Sequence, residues 1–472
     1  MWSVEANGIN VVPNEERSAR PRQLFFIWCA ANIGLLGLAY GAYLVAFYGL
    51  NLWQAVLAGA LGSTLSFLLV GFIALAGTKG GAPTMTLSRA AFGVEGNKLP
   101  AFVSWISLVG WETILVSLAT LSAGTILHRL GLGDGKPQLA VAFAVVAAAT
   151  IAIAMLGYDT ILAVQRWFTW TFAVLTLVYF VVAAHTIDLH RATSLPSGDP
   201  AGFVSGVSIV MAGLGLGWVN AGADYSRYLP RTTRPRAVVG WTTFGASIAP
   251  IVLIAFGVLV AASNKDLASA ANPISALADP LPVWFLVPYL VAGVGGLIAG
   301  AVMDIYSSGL NLLALGVRLP RHKSVLIDGV VMVAGSIYIV FFSRGFFAPF
   351  QGFLITLGVA LAAWSAIFLA DLGLYRRDGY DEAELYDAHA RHGAVNVAGV
   401  TSFVLGTGVG LGLVTSTSPA FSWAGYLLGA VGGRTGTIGS GSLGLFIGFA
   451  VAGVLYAALS CVARPRFVPD VA

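Results

Sequence analysis

The stretch LPAFVSWISLVGWETILVSLATLSAGTIL, residues 99–127, is apolar over the length of a bilayer crossing and carries one carboxylate, Glu112, near its middle. A transmembrane helix needs about 20 mostly apolar residues. An acidic group at a helix centre costs about 2.5 to 3.5 kcal/mol on insertion scales, so it persists mainly where it faces a cavity, a partner or a proton path. Asp304 lies in a second apolar run. Either carboxyl alone fits a protonated or hydrogen-bonded structural role inside a helix bundle. Two together favour transport.

Composition identifies the solvent. Of 472 residues, 57% are hydrophobic and 10% charged, with a mean hydropathy of +0.84, against about 25% charged in a typical soluble domain. Apolar stretches long enough to cross fall at 24–48, 53–76, 99–127, 139–156, 162–185, 202–222, 237–262, 283–314, 325–342, 348–371, 394–414 and 442–461. The chain therefore reads as an all-α polytopic membrane protein with 12 transmembrane helices. The 24–48 run is too long for a signal-peptide core and lacks a small-residue cleavage site after it, so it reads as the first retained helix.

Loops rich in Lys and Arg stay in the cytoplasm. With both termini inside, Arg129, Lys136, Arg191, Lys265, Arg344 and Arg434 fall outside, leaving 19 of the 25 basic residues inside. This asymmetry predicts a multi-pass protein of the cell membrane with both termini cytoplasmic. It also accounts for the net charge of +4 without a nucleic-acid partner.

Cys29 and Cys461 fall inside apolar runs and read as packing residues. The histidines, His128, His185, His190, His322, His389 and His392, lie mostly in loops or near span ends and form no motif with cysteines or carboxylates. No metal site and no cofactor are assigned. There is no Gly-x-x-x-x-Gly-Lys-Ser/Thr loop and no soluble stretch long enough for a nucleotide-binding domain, which argues against ATP-driven transport within this chain.

The polar connections divide the chain into a cytoplasmic segment 1–23, a transport core of helices 1–10 at 24–371, a cytoplasmic loop 372–393, helices 11–12 at 394–461 and a cytoplasmic tail 462–472. The 77–98 connection mixes small residues with Arg89 and reads either as a loop packed on helix ends or as a flexible linker. The 58 glycines cluster in Gly34-Leu35-Leu36-Gly37 of helix 1 and Gly213-Leu214-Gly215-Leu216-Gly217 of helix 6, the latter followed by Trp218. Glycine weakens a helix by about 1 kcal/mol, and unwound backbone at membrane depth is tolerated where it is buried or lines a cavity. Positions 1 and 6 fit a transporter plan in which helices 1–5 and 6–10 are inverted repeats, each with its first helix broken at the substrate site. Close helix packing through small residues is the other reading, and it suits Gly293, Gly295, Gly296 and Gly300 of helix 8 better.

At the end of helix 6 stands Gly222-Ala223-Asp224-Tyr225-Ser226-Arg227-Tyr228-Leu229-Pro230. With it come Trp28-Cys29-Ala30-Ala31-Asn32 in helix 1, Gly77-Thr78-Lys79-Gly80-Gly81-Ala82-Pro83-Thr84 and Ser88-Arg89-Ala90-Ala91-Phe92-Gly93 after helix 2, Gly110-Trp111 in helix 3, and Tyr306-Ser307-Ser308-Gly309-Leu310 in helix 8. This set resembles the nucleobase:cation symporter-1 family, and within it the purine-cytosine permease branch. The resemblance implies a five-plus-five inverted repeat with broken helices 1 and 6, plus two C-terminal helices.

It further implies that Trp111 and Trp218 sandwich a flat heterocycle beside the helix 6 backbone at Gly215 and Gly217. Rings suit the two π-faces of a nucleobase, at about 1 to 3 kcal/mol per stacked base in single-strand binding proteins. Hydrogen-bonding groups then read the polar edge, and the positions available are Asn32, Ser107, Glu112 and Asp304. Two positions depart from the fungal pattern: Leu115 replaces an amide in helix 3, and Asp304 replaces an asparagine in helix 8. Sodium-driven members place Ser or Thr hydroxyls in helix 8 before the substrate-reading residue, whereas Leu297-Ile298-Ala299-Gly300-Ala301-Val302 has none. Proton coupling through Asp304 or Glu112 is therefore expected, with Na+ the alternative. Asp224 and Arg227, three apart at a helix end, read as gating or structural, paired with each other or with the 77–98 loop.

The expected function is secondary active import of a nucleobase or related flat heterocycle (cytosine, a purine or a pyrimidine type) by proton symport with alternating access. The alternatives are sodium-coupled symport of a hydantoin, allantoin or a pyrimidine vitamin precursor, and a channel. An intramembrane enzyme using Glu112 and Asp304 as acid and base lacks an evident nucleophile or metal cluster.

Overall fold

The structure, a computed structural model, describes residues 5–34, 36–133, 135–263, 281–343, 347–389, 393–416 and 418–463. Among these residues there is no strand. Ten helices are long and apolar enough to cross a membrane: Leu52–Gly80, Lys98–Arg129, Lys136–Leu156, Tyr158–Thr186, Pro200–Ser226, Pro235–Ser263, Trp284–Ala314, Arg321–Phe342, Gly352–Tyr375 and Gly444–Cys461. Gln23–Asn32 and Leu36–Ala46, bent by 55°, form a further apolar pair before them, and the shorter Val397–Gly412 lies between the last two. In order these occupy the twelve apolar stretches, and they are numbered helices 1 to 12 below. Lys265, Arg344, Arg391, Arg464, Arg466 and the tail beyond residue 463 lie outside the described residues, as does Leu35 at the bend.

Local sequence sets the helix ends. Asn51 and Gln54 form a reciprocal cap at the start of helix 2, with the Gln54 N–H donating to Asn51 Oδ1 at 2.9 Å and the Asn51 N–H to Gln54 Oε1 at 3.2 Å. Helix 2 stops at Gly81, whose φ of +72° favours glycine. Helix 6 opens on Asp199, which accepts from the Gly202 N–H at 2.6 Å, with Pro200 at the first helical position.

Helix 6 is interrupted. Its first segment ends at Gly213; Leu214 has φ −119° and ψ −105°, and a single turn, Gly215–Trp218, leads through a 3-10 turn into Gly222–Ser226. The backbone groups freed there find protein partners. The Gly215 N–H donates to Ser66 Oγ at 3.1 Å, and the Tyr40 hydroxyl donates to the Gly213 carbonyl at 3.1 Å. A side chain at Gly213 would overlap the Tyr40 phenol, and one at Gly215 the helix 2 backbone at Ser66. The helix 8 glycines are used for packing: a Cβ at Gly295 would sit 2.8 Å from Phe172, and one at Gly300 2.9 Å from Leu115.

The helix pairings have a two-fold pattern. Helix 2 packs on helix 7 and helix 3 on helix 8; helix 1 packs on helix 7 as helix 6 does on helix 2, and helix 4 on helix 8 as helix 9 does on helix 3. For each of these pairs, adding five to both members returns a pair that is also made, as a five-plus-five repeat predicts. Helices 11 and 12 pack on each other and on helix 10, outside that pattern.

One face is sealed by the N-terminal segment. The Val12 N–H donates to the Gly81 carbonyl at 2.8 Å, Arg17 donates to the carbonyls of Leu229 (Nε, 3.0 Å) and Thr78, and the Glu5 N–H donates to Leu156 O at 3.2 Å. Burial, with help from Arg231, lowers Arg17 to about 10, which leaves it charged at neutral pH. The 77–98 segment is packed on the helix ends: Arg89 donates to the carbonyls of Leu385 and Ala314 at 3.0 and 2.9 Å. The ends gathered here are those that alternate crossing puts on one side.

Candidate functional site

The two interrupted helices meet helices 3 and 8 around a cavity of about 50 Å³. Its walls include Asn32 and Gly34 of helix 1, Trp111 and Leu115 of helix 3, Leu214 and Trp218 of helix 6, and Leu297 and Asp304 of helix 8. Four of the eight positions expected to bind substrate, Asn32, Trp111, Trp218 and Asp304, therefore share one cavity.

Both tryptophans are fixed from behind. Trp111 has edge contacts from Phe350 and Phe353, with ring centroids 5.8 and 6.2 Å away. Trp218 meets Trp28 edge-on at 5.6 Å, and Trp28 meets Tyr225 in the same way. The Tyr225 hydroxyl in turn donates to the Met303 carbonyl at 2.8 Å, next to Asp304. Asn32 is oriented by its own helix, donating to the Trp28 carbonyl at 2.8 Å, which leaves its amide oxygen for other work. Asp304 is buried, and its Oδ2 has no hydrogen-bond partner among the described residues.

The other four positions stand behind the walls. Gly217 backs directly onto Trp111: a Cβ there would lie 2.7 Å from the indole Nε1. Gly215 faces Ser66 of helix 2. Ser107 is buried on helix 3, a full turn from Trp111, and does not line the cavity. Glu112 follows Trp111 in sequence, and consecutive helical residues point about 100° apart, so its carboxyl turns away from the cavity. Its Oε1 accepts from Ser308 Oγ at 2.5 Å, while Oε2 lacks a partner among the described residues.

Beside Ser308 lies a third buried carboxyl, Asp328 of helix 9, whose Oδ1 accepts from Trp105 Nε1 at 2.7 Å. Asp328 was not among the sequence candidates, although it sits in the 325–342 run and the reasoning applied to Glu112 covers it. A second omission is Gln165 of helix 5, buried, whose Nε2 donates to the Ala299 carbonyl of helix 8 at 2.9 Å.

Asp224 and Arg227 lie beyond the cavity, at the face closed by the N-terminal segment. Asp224 Oδ1 accepts from both the backbone N–H and the hydroxyl of Thr84, each at 2.7 Å, so its partner is the 77–98 segment. No ion pair joins it to Arg227 among the described residues. Arg227 instead donates to Gly8 O at 2.6 Å, Tyr228 Oη at 2.9 Å, Tyr306 Oη at 3.0 Å and Glu5 Oε1 at 3.1 Å. Burial opposes its charge, but Tyr228, Tyr306 and Glu5 more than offset that and hold it protonated. Glu5 also accepts from the Tyr306 hydroxyl at 3.1 Å, the Tyr228 hydroxyl and the Tyr158 N–H at 2.9 Å.

The geometry predicts the outcome of one substitution in particular. In Gly217→Val the new side chain must push Trp111, because even a Cβ at 217 would lie 2.7 Å from its indole Nε1. If Trp111 stacks on substrate at about 1 to 3 kcal/mol, half-saturation for uptake should rise roughly tenfold or more, while membrane insertion stays normal. Unchanged half-saturation would remove Trp111 from the site.

The chain matches the family described as permeases for cytosine/purines, uracil, thiamine and allantoin over residues 11–437. It is 28% identical to YxlA of Bacillus subtilis, a protein named among the purine-cytosine permeases, over 98% of this chain and 96% of that protein. It is 23% identical to the purine-cytosine permease FCY2 of Saccharomyces cerevisiae, over 96% of this chain and 85% of that one. Its fold is that of Mhp1, a nucleobase-cation-symport-1 family transporter solved in a closed conformation with bromovinylhydantoin bound; the TM-score is 0.75 at 18% identity, covering 99% of this chain and 98% of that chain. Matched over nearly its whole length, the chain belongs to the nucleobase:cation symporter-1 family of permeases.

Proposed function

We propose that this permease imports a nucleobase or closely related flat heterocycle by proton symport, across a membrane whose cytoplasmic side is the face closed by the N-terminal segment. The observation that carries the reading is the single cavity shared by Trp111, Trp218, Asn32 and Asp304. Two rings offer faces to a flat cargo, and one amide and one carboxyl offer edge contacts. Leu115 and Leu297 leave the rest of the wall apolar, so recognition concentrates on few polar atoms.

Two observations support the proton. Asp304 is a buried carboxyl that lines the cavity, where a proton it carries would share the space of the cargo. The helix 8 stretch 297–302 also carries no side-chain hydroxyl that could serve as an oxygen ligand for a sodium ion.

The test is uptake of radiolabelled cytosine, adenine, hypoxanthine, uracil and hydantoin in cells lacking their own carriers, with and without sodium and with a proton uncoupler. Uncoupler-sensitive, sodium-independent accumulation of one base is expected. Sodium-dependent accumulation that survives the uncoupler would overturn the coupling, and flux without saturation or accumulation would make the protein a channel.

A further inference from the structure

At the N-terminal face a cavity of about 660 Å³, separate from the one above, opens between the head of helix 1 and the first turns of helix 5. Its rim carries Arg20, Arg22 and Arg166 against a single carboxylate, Asp159. Among the described residues none of the three guanidiniums makes a hydrogen bond or an ion pair. The floor is apolar, formed by Phe26, Leu162, Ala163 and Trp170. Trp170 and the neighbouring Trp167 are 62% and 61% exposed, as expected of aromatic side chains at a membrane–water boundary.

Three like charges around one recess repel unless an anion sits among them. A soluble anion would satisfy the arginines but has no use for an apolar floor beneath them. An anionic phospholipid matches both, with its phosphate among the guanidiniums and its acyl chains along Phe26, Leu162 and Trp170. Basic pockets between helices on the cytoplasmic side take such headgroups.

We propose that this recess is a binding site for one anionic phospholipid headgroup. Because Arg20 and Arg22 precede helix 1 while Arg166 rides on helix 5, the bound phosphate ties the base of helix 1 to helix 5. The same two helices are joined deeper in the membrane by the Thr169 hydroxyl, which donates to the Phe26 carbonyl at 3.2 Å. The lipid therefore holds an existing junction from outside, and it does so whatever the cargo or coupling ion.

The experiment uses the full chain in nanodiscs of phosphatidylcholine, with and without phosphatidylglycerol, and reads lipid retention by native mass spectrometry together with the melting temperature. The comparison sets R20Q/R22Q/R166Q against R234Q/R236Q/K323Q, which removes three exposed basic residues elsewhere on the same face. At roughly fivefold per arginine, the first variant should lose phosphatidylglycerol on the order of a hundredfold more easily than the wild type, and should lose its stabilising effect. The second should retain both. If the triple variant does not fold, R22Q and R166Q singly should each weaken retention about fivefold. Equal retention by the wild type and the arginine variants overturns the proposal, as does displacement of the lipid by millimolar inorganic phosphate, which would make the recess a soluble-anion site.

Discussion

Asp304→Asn should abolish concentrative uptake while leaving exchange of cargo across the membrane. One proton moving down a potential of 100 mV contributes about 2.3 kcal/mol, enough for roughly fiftyfold accumulation. A carboxamide keeps the size and one acceptor of Asp304 but cannot carry the proton, so the accumulation ratio should fall to about one. Glu112→Gln should do less, because Glu112 faces Ser308 behind the wall and not the cavity. Accumulation ratios and counterflow in proteoliposomes separate the cases. Loss of counterflow in Asp304→Asn would show that Asp304 is needed for cargo binding itself, and silence of both variants would remove Glu112 and Asp304 from the transport cycle.

Arg227→Ala should release the N-terminal segment. The guanidinium is buried and is the shared donor to Glu5, Gly8, Tyr228 and Tyr306. A hydrogen bond to a charged group contributes about 1.5 to 3 kcal/mol. Glu5 would then keep Arg321, whose Nε lies 3.8 Å from its Oε2, as its remaining cation, and would lose the nearer of its two guanidiniums. Amide exchange over that segment should accelerate about tenfold or more at about 1.4 kcal/mol per decade. Glu5→Gln should give a smaller effect, since hydroxyls and backbone can still bond a carboxamide. Unchanged exchange at residues 5–12 in Arg227→Ala would show that Gly81, Leu156 and Tyr228 hold the segment without Arg227. Normal transport in that variant, with the segment released, would confine the latch to a structural role.

The sequence was most legible where a residue conflicts with its solvent. Hydropathy placed every long helix, and the carboxyls of Glu112 and Asp304 stood out because charge is costly in lipid. The glycine cluster of helix 6 located its interruption for a related reason, since small residues inside a helix call for a close neighbour, and Tyr40, Ser66 and Trp111 are those neighbours. Asp328 carried the same signal and was passed over beside the basic start of its helix. Phe350 and Phe353 could not be distinguished, because an aromatic ring in an apolar run is the commonest occupant and only the fold shows which ring it touches. Glu5 was least legible of all. An acid in a polar leading segment reads as solvated, and its partners Arg227 and Tyr306 lie more than two hundred residues away in sequence. Asp224 and Arg227 read either as a local pair or as partners of the 77–98 segment; Asp224 takes the second course through Thr84, and Arg227 turns to the N-terminal segment and Tyr306.

The interruption of helix 6 has a consequence for how such a protein changes its diet. Ser66 and Tyr40 satisfy the backbone groups opened around Leu214, so the opening asks nothing of the cargo. If the cavity holds the cargo as proposed, replacing Leu115 would change its wall without rebuilding the gap behind it. A scaffold of this kind would be permissive under selection, because the costly part of the architecture, the opened backbone, is supported by protein groups and not by whatever the cavity holds.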